Sequence, residues 1–358
     1  MSRFLLVDVG AGTMDVLYYD DSSGIHYKAV VKSPVQYICE RAASLPGNLL
    51  IGGREMGGGS LSEVLRNRVK TDEVLMTHSS ALTISHQLDK VRSLGIRLIR
   101  DEEIVRLSKR EDYSQLLLGD LQIGHVEQIV KDLGVPFEFD VLGVCAQDHG
   151  MPPPGMSHLD YRHRIFKDVL DGNPFPRALL YAADEVPHTF NRLRAIAESG
   201  GALPASRIYV MDSGMAAILG ASMDFEAKKR KNILVLDVAT SHTVGAALTD
   251  GELAGFFEYH TSDITAEKLD LLIVGLANGE LDHEQVLREG GHGAYTRMAP
   301  GFDSIETIVA TGPKRRLVGN SRLAITYGAP LGDNMMTGTV GLLEAIRIRE
   351  GKPPITYL

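Results

Sequence analysis

The sequence predicts an α/β protein of two lobes around a cleft. Three observations carry that expectation: a length of 358 residues, a strand-turn-strand hairpin at the start of the chain, and a second hairpin of the same pattern beginning near residue 231. The length exceeds that of one ordinary domain. A composition of 44% hydrophobic and 23% charged residues, with Leu, Val, Ile and Ala spread throughout, supplies two cores and excludes wholesale disorder.

Taken in order, residues 3–32 hold three short apolar strands, RFLLVDV, TMDVLYYD and IHYKAVVK. They are separated by GAG and DDSSG, both turn-forming, so they predict a β-meander. Residues 48–100 predict an alternating insertion: LLIGG as strand, SLSEVLRNRV as helix, EVLMTH as strand, ALTISHQLDKVRSLG as helix and IRLIR as strand. An amphipathic helix is expected over 114–134, ending at Gly134, and FEFDVLGVCA after it suits a buried strand. MPPPG then breaks regular structure, with helices expected around 159–171 and 187–199 and the strand RIYVM following.

From 231 the opening pattern recurs as NILVLDVA, HTVGAALTD and GELAGFFEYH. Helical patterns at 263–278 and 337–350 flank the strand ETIVAT and the loop GPKRRL. We therefore expect an N-terminal lobe over 1–205, carrying an α/β insertion at about 48–110, and a C-terminal lobe over 206–358.

The balance of 37 basic and 46 acidic residues gives a net charge of -9, which argues against nucleic acid or an anionic membrane as the main partner. Cys39 and Cys145 stand far apart, so neither a disulfide framework nor a four-cysteine zinc site is available, and a reducing cytoplasm is the expected compartment. The N-terminal MSRFLLVDVGAG places Asp8 and glycines where a signal peptide needs an unbroken apolar core. No apolar run approaches membrane-spanning length.

In the first hairpin, Asp8 ends an apolar strand and the turn Gly10-Ala11-Gly12 follows, with Thr13 adding a hydroxyl. Small residues let backbone N–H groups approach an oxyanion. Asp8 can hold magnesium through water, because that ion prefers oxygen ligands and keeps much of its hydration. The same residues would also serve as a plain hairpin turn. In the second hairpin Asp237 takes the place of Asp8, as a second carboxylate for the metal. Ala239-Thr240-Ser241, followed by His242, takes the place of the glycine turn. The hydroxyls of Thr240 and Ser241 can substitute as donors.

This pairing resembles the superfamily of sugar kinases, acetate kinases, actin and heat-shock chaperones. The resemblance implies two ribonuclease H-like, actin-like ATPase lobes around a nucleotide cleft, with ATP and Mg2+ as cofactors. MDSGMAAILGA at 211–221 is similar to the first connecting helix of that superfamily, and YGAPLGDNMMTGTVGLLEA at 327–345 to the second. ETIVATGPKRRLV at 306–318 resembles the adenosine strand and loop, which implies Thr311 and Gly312 beside base and ribose.

FDVLGVCAQDHG at 139–150 is similar to a substrate-facing strand and turn of carbohydrate kinases, which implies Gln147, Asp148 and His149 on the substrate side. Asp148 joins Asp8 and Asp212 as a candidate catalytic carboxylate. Asp212 corresponds to the general base on a substrate hydroxyl, and could equally orient a water attacking the γ-phosphoryl group. A small-molecule acceptor or a regulated protein is the implied partner, and homo-oligomerisation is left open.

The whole chain, through QDHG and GDNMMTG, also resembles a family that bears the name pyruvate formate-lyase activating enzyme. A glycyl-radical activator needs three closely spaced cysteines for its cluster, which two distant cysteines do not provide. GGREMGGGS at 52–60 reads as a structural turn that lacks the ending of a P-loop. His158 and His163 lack an evident third ligand, so no zinc is assigned to them, and Lys314, Arg315 and Arg316 read as a solvated basic loop.

Overall fold

The computed structural model describes residues 2–355, so the outermost ends of both expected lobes lie outside the described residues. The chain opens with β1 (Arg3–Val9), β2 (Thr13–Asp20) and β3 (His26–Lys32), the expected meander. Phe4, Leu5, Leu6 and Val7 are buried in succession rather than alternately, because β1 lies in the middle of a sheet covered on both faces. Its antiparallel register with β2 sets Asp8 directly opposite Asp15.

Helix α1 (Pro34–Ser44) leads into an insertion of β4 (Asn48–Gly53), α2 (Leu61–Arg68), β5 (Val74–Thr77), α3 (His78–Ala81), α4 (Leu88–Ser93), β6 (Arg97–Ile99), α5 (Ile104–Leu107) and β7 (Tyr113–Leu118). Its strands form a parallel sheet in the order β6-β5-β4-β7. Two expectations are corrected here. The helix expected over 114–134 is a strand followed by a shorter helix, α6 (Ile123–Asp132). In YSQLLL, Tyr113, Leu116 and Leu118 are buried while Gln115 and Leu117 are exposed, which fits pairing along β4 and not a helical stripe. The helix expected over 81–95 is divided between α3 and α4. Thr83 leaves the helix between them and accepts a hydrogen bond from the Met56 N–H at 3.2 Å, tying the segment to the glycine-rich loop.

The first sheet resumes with β8 (Val141–Ala146), α7 (His158–Gly172), β9 (Leu180–Ala182), α8 (Asn191–Gly200) and β10 (Arg207–Asp212). Its order is β3-β2-β1-β8-β10-β9. After α9 (Ser213–Ser222) come β11 (Asn232–Val238), β12 (His242–Thr249), β13 (Glu252–His260), α10 (Ala266–Asn278), α11 (His283–Arg288), β14 (Gly291–Thr296), β15 (Thr307–Thr311), β16 (Thr326–Tyr327) and α12 (Thr337–Arg349). The second sheet has the order β14-β13-β12-β11-β15-β16. Setting aside one edge strand from each, the two sheets share one topology: an antiparallel meander whose first strand continues into two parallel neighbours. This is the actin-like, two-lobed α/β architecture expected.

The connecting helices exchange lobes. Helix α9 follows the first sheet but packs on β11, β12 and β15, whereas α12 follows the second sheet and packs on β1, β2 and β8. A division at 205/206 thus cuts β10 from the sheet it belongs to and assigns α12 to the lobe it leaves. The two helices cross in backbone contact. A Cβ at Gly220 would collide with the Thr337 carbonyl, and one at Gly341 with the Ala216 carbonyl. Among the described residues no helix is long and apolar enough to cross a membrane.

Overpacking this crossing forces backbone apart, so Gly341→Ala should lower stability by roughly 1–3 kcal/mol. Gly124→Ala, in α6, meets nothing within 4 Å and should be neutral or stabilising by up to about 1 kcal/mol. Urea denaturation checks both, and equal effects would contradict the close crossing.

Candidate functional site

The two meanders build the same turn. Gly10 N–H donates to the Thr13 carbonyl at 3.0 Å, and Ala239 N–H donates to the His242 carbonyl at 3.1 Å. Residue Ser33, just past β3, anchors the first turn through its hydroxyl to the Gly10 carbonyl (2.6 Å) and its N–H to the Gly12 carbonyl (3.3 Å). Thr261, just past β13, anchors the second by the same pair of bonds, to Ala239 (2.8 Å) and Ser241 (2.8 Å). The turns face each other across a cleft of about 670 Å³. A Cβ on Gly12 would lie 2.8 Å from Thr240 Cγ2, so the bulk of the second turn is matched by its absence in the first.

Below the turns sit three carboxylates. Asp8 accepts the Ser213 hydroxyl at 2.9 Å, and Gly338 at the start of α12 approaches it so closely that any side chain there would collide. Asp237 accepts the Thr311 hydroxyl at 3.2 Å, while Gly312, at φ +88°, folds back over Asp237. Asp15 is buried, and among the described residues its Oδ1 has no hydrogen-bond partner. Burial pushes Asp8 up to about 6, and burial with the charge of Asp8 pushes Asp237 up to about 7 and Asp15 up to about 8. Sequence reasoning missed Asp15, although the register of a two-stranded hairpin places it opposite Asp8.

Of the residues expected at the site, Asp8, Gly10, Ala11, Gly12, Thr13, Asp237, Thr240, Ser241, His242 and Gly312 all line the cleft. Thr311 is buried beneath it. Asp212 does not line it. Its Oδ1 caps α9 by accepting the Met215 N–H at 3.1 Å, and its Oδ2 pairs with Arg162 at 2.9 Å. Arg162 also pairs with Glu258 at 2.6 Å. Burial raises Asp212 and the adjacent guanidinium opposes that rise. Both its oxygens are thus committed to holding structure, which corrects the expectation of a free general base.

The QDHG turn lines the cleft, but two of its side chains are also engaged. Asp148 accepts the Gly150 and Leu193 N–H groups at 2.8 and 3.0 Å, fixing the turn to the start of α8, and burial pushes it up to about 6. These two bonds make it a fastener of the turn. Gln147 donates to Glu258. Burial lowers His149 to about 3 and His242 to about 4, so both are neutral at pH 7.

The far wall belongs to the insertion. Arg192 of α8 grips Asp120 through two bonds of 2.7 and 2.8 Å and donates to the Gln147 carbonyl at 2.8 Å. Asp120 in turn accepts the Gly57 N–H at 3.2 Å. GGREMGGGS is therefore held against the cleft, where Glu55 pairs with His86 at 2.8 Å. Arg192 and Asp120 carry no recognisable spacing in the sequence and meet only through the fold.

A family model described as "Putative pyruvate format-lyase activating enzyme (DUF1786)" matches residues 56–317, most of the chain. No curated protein sequence matches it. Among solved structures, the PilM-PilN type IV pilus biogenesis complex is similar at 12% identity over 96% of this chain and 97% of that one, with a TM-score of 0.41. The ethanolamine utilization protein EutJ from Carboxydothermus hydrogenoformans is similar at 9% identity over 95% and 88%, with a TM-score of 0.32. A ROK hexokinase from Thermus thermophilus is similar at 12% identity over 98% and 100%, with a TM-score of 0.32.

The raised carboxylates fix a sign for pH dependence. A folded-state pKa above the unfolded value means the folded protein binds the proton more tightly, so Asp15 favours folding at acid pH and opposes it as pH rises. In metal-free protein, Asp15→Asn should therefore gain stability relative to the wild type from about pH 4 to pH 8 and level off above, as followed by thermal denaturation. A difference independent of pH would contradict a carboxyl raised by burial and by the charge of Asp8.

Proposed function

We propose that this chain, which belongs to the DUF1786 family, binds magnesium-ATP between its two turns and transfers or hydrolyses the terminal phosphoryl group. The observation that carries the proposal is the meeting of two equivalently anchored turns over three carboxylates, Asp15 buried and Asp8 and Asp237 half-buried. Among the described residues Asp15 Oδ1 has no partner there, and burial raises all three carboxyls, with the charge of Asp8 adding to the rise of Asp15 and Asp237. A divalent cation on that set would relieve the crowding, and the glycine turn leaves backbone open to phosphate.

Bound magnesium-ATP supplies an activated phosphoryl group whose charge the metal partly neutralises. Residues 10–13 and 240–241 would hold the phosphates from opposite lobes, and Asp8, Asp15 and Asp237 would hold the metal directly or through water. Thr311 and Gly312, next to Asp237, would border the nucleoside. Phosphoryl transfer depends mainly on positioning and electrostatics, and turns borne by separate lobes do both when the lobes close.

Radical activation by an iron–sulfur cluster, which the family's name suggests, has no ligand set here. Cys39 and Cys145 are both buried, on α1 and β8, and no third cysteine exists. With two free thiols and nucleotide as ligand, the cytoplasm remains the proposed compartment.

A second reading is a nucleotide-dependent switch read by a protein partner. The engagement of Asp212 and Asp148 favours it, because no free carboxylate stands where a sugar kinase keeps its base. Calorimetry with magnesium-ATP tests the shared premise, and absence of binding would defeat both readings. ADP release against a panel of sugars, small alcohols and acids then separates them, since only a phosphotransferase is stimulated by an acceptor.

Asp8→Asn should weaken magnesium-ATP binding about tenfold or more, the scale of a lost charged contact. Asp212→Ala should instead destabilise the fold by roughly 3–5 kcal/mol, because it breaks one of the two buried ion pairs of Arg162 and removes the cap of α9. Denaturation beside calorimetry distinguishes these outcomes, and loss of binding by Asp212→Ala at unchanged stability would restore it as a catalytic residue.

A further inference from the structure

Three adjacent strands of the second sheet each contribute a histidine to one point. His242 is the first residue of β12 and His260 the last of β13, and the antiparallel register sets them directly opposite. On β14 the ladder is irregular: Glu258 faces Gly293 and Tyr259 faces Gly291, which leaves His292 as the extra residue. A bulge of this kind re-aims a side chain. Here the flanking residues are both glycine, Gly293 with φ +123°, and the ring of His292 comes to lie against those of His242 and His260.

The three rings come close enough for their nitrogens to share one ligand. One ring nitrogen from each histidine lies within 4.8 Å of the others, and His292 Nε2 is 3.0 Å from His260 Nε2. Tetrahedral metal–nitrogen bonds of roughly 2.0–2.1 Å place neighbouring ligand atoms only slightly farther apart, at about 3.3 Å. His242 Nε2 is buried without a hydrogen-bond partner among the described residues. His292 Nδ1 lies 3.5 Å from Glu258 Oε1, and Glu258 is itself fixed by Arg162. A histidine whose second nitrogen faces a carboxylate is the usual outer arrangement of a metal site.

We propose that His242, His260 and His292 bind a zinc-class divalent transition metal through imidazole nitrogens, at a site distinct from the carboxylates below the turns. Three nitrogen ligands leave a fourth position, and the exposure of His260 keeps it open to water or to an oxygen-donor anion such as a carboxylate or phosphate. His242 lines the cleft and directly follows Ser241 of the second turn, so a ligand on the metal would share the cleft with whatever the turns hold.

The test is titration of chelator-treated protein with Co2+, followed by the visible absorption of a tetrahedral nitrogen-ligated ion and by competition with Zn2+. One equivalent should bind and resist excess Mg2+. Glu284→Gln, in the separate group Asp160, His283 and Glu284, should leave binding unchanged. His260→Ala and His292→Ala should weaken it at least a hundredfold. His260→Cys should retain the ion with an added thiolate charge-transfer band, which no purely structural role of the imidazole would produce. Because His260 is exposed, its variants report on the ion and not on folding. Absence of stoichiometric binding in the wild type, or binding undiminished in both alanine variants, would overturn the proposal.

Discussion

The ion triad of Asp212, Arg162 and Glu258 holds the two lobes in register. Arg162 projects from α7 of the first lobe, Asp212 ends the last parallel strand of the first sheet, and Glu258 lies on β13 of the second. All three are buried, and burying charge is costly unless each partner is satisfied. Most of their polar atoms are: Asp212 also caps α9 and Glu258 also accepts from Gln147, whereas Arg162 Nε has no hydrogen-bond partner among the described residues. Burial alone would raise the Glu258 carboxyl, but the Arg162 guanidinium and the neighbouring histidines hold it well below the usual carboxylate range. An arrangement that depends on precise pairing specifies one relative placement of the sheets, more than it adds to stability.

From that placement the rest of the site follows. With β13 fixed against α7, its neighbour β12 carries the second turn to face the first, and Thr240 reaches the space that Gly12 leaves empty. The exchange of α9 and α12 between lobes makes the same placement a matter of backbone contact, since Gly220 and Gly341 admit no side chain at the crossing. Movement of one lobe must therefore pass through this crossing and through Arg162. The nucleotide reading and the histidine cluster depend on that geometry in different ways. The turns need both lobes, whereas the three histidines belong to one sheet and would keep their spacing if the lobes opened.

Much of the fold was legible because repetition is a strong signal. Two copies of an apolar strand, an acidic residue and a small turn predicted two similar sheets, and the equivalent anchoring by Ser33 and Thr261 makes the correspondence atomic. The insertion was less legible. YSQLLL has apolar residues compatible with either period over so short a run, and only pairing with β4 decides for strand. β14 was missed because GHGAYT lacks the alternation of a good strand and owes its place to the edge of β13.

The sequence by itself determined the residues of the two facing turns, since a tight turn with open backbone demands small side chains wherever the chain goes. It also offered two distant cysteines and no closely spaced set of three for a cluster. Only the tertiary structure decided which carboxylates remain free. Asp8, Asp212 and Asp148 are alike as letters, yet Asp212 is taken by a guanidinium from another helix and Asp148 by two backbone N–H groups. Asp15 is left with an oxygen that nothing among the described residues satisfies. The gathering of His242, His260 and His292 was equally invisible, because strand register and a bulge, not sequence spacing, bring their nitrogens together. A side chain's availability depends on its partners, and partners distant in sequence are chosen by packing.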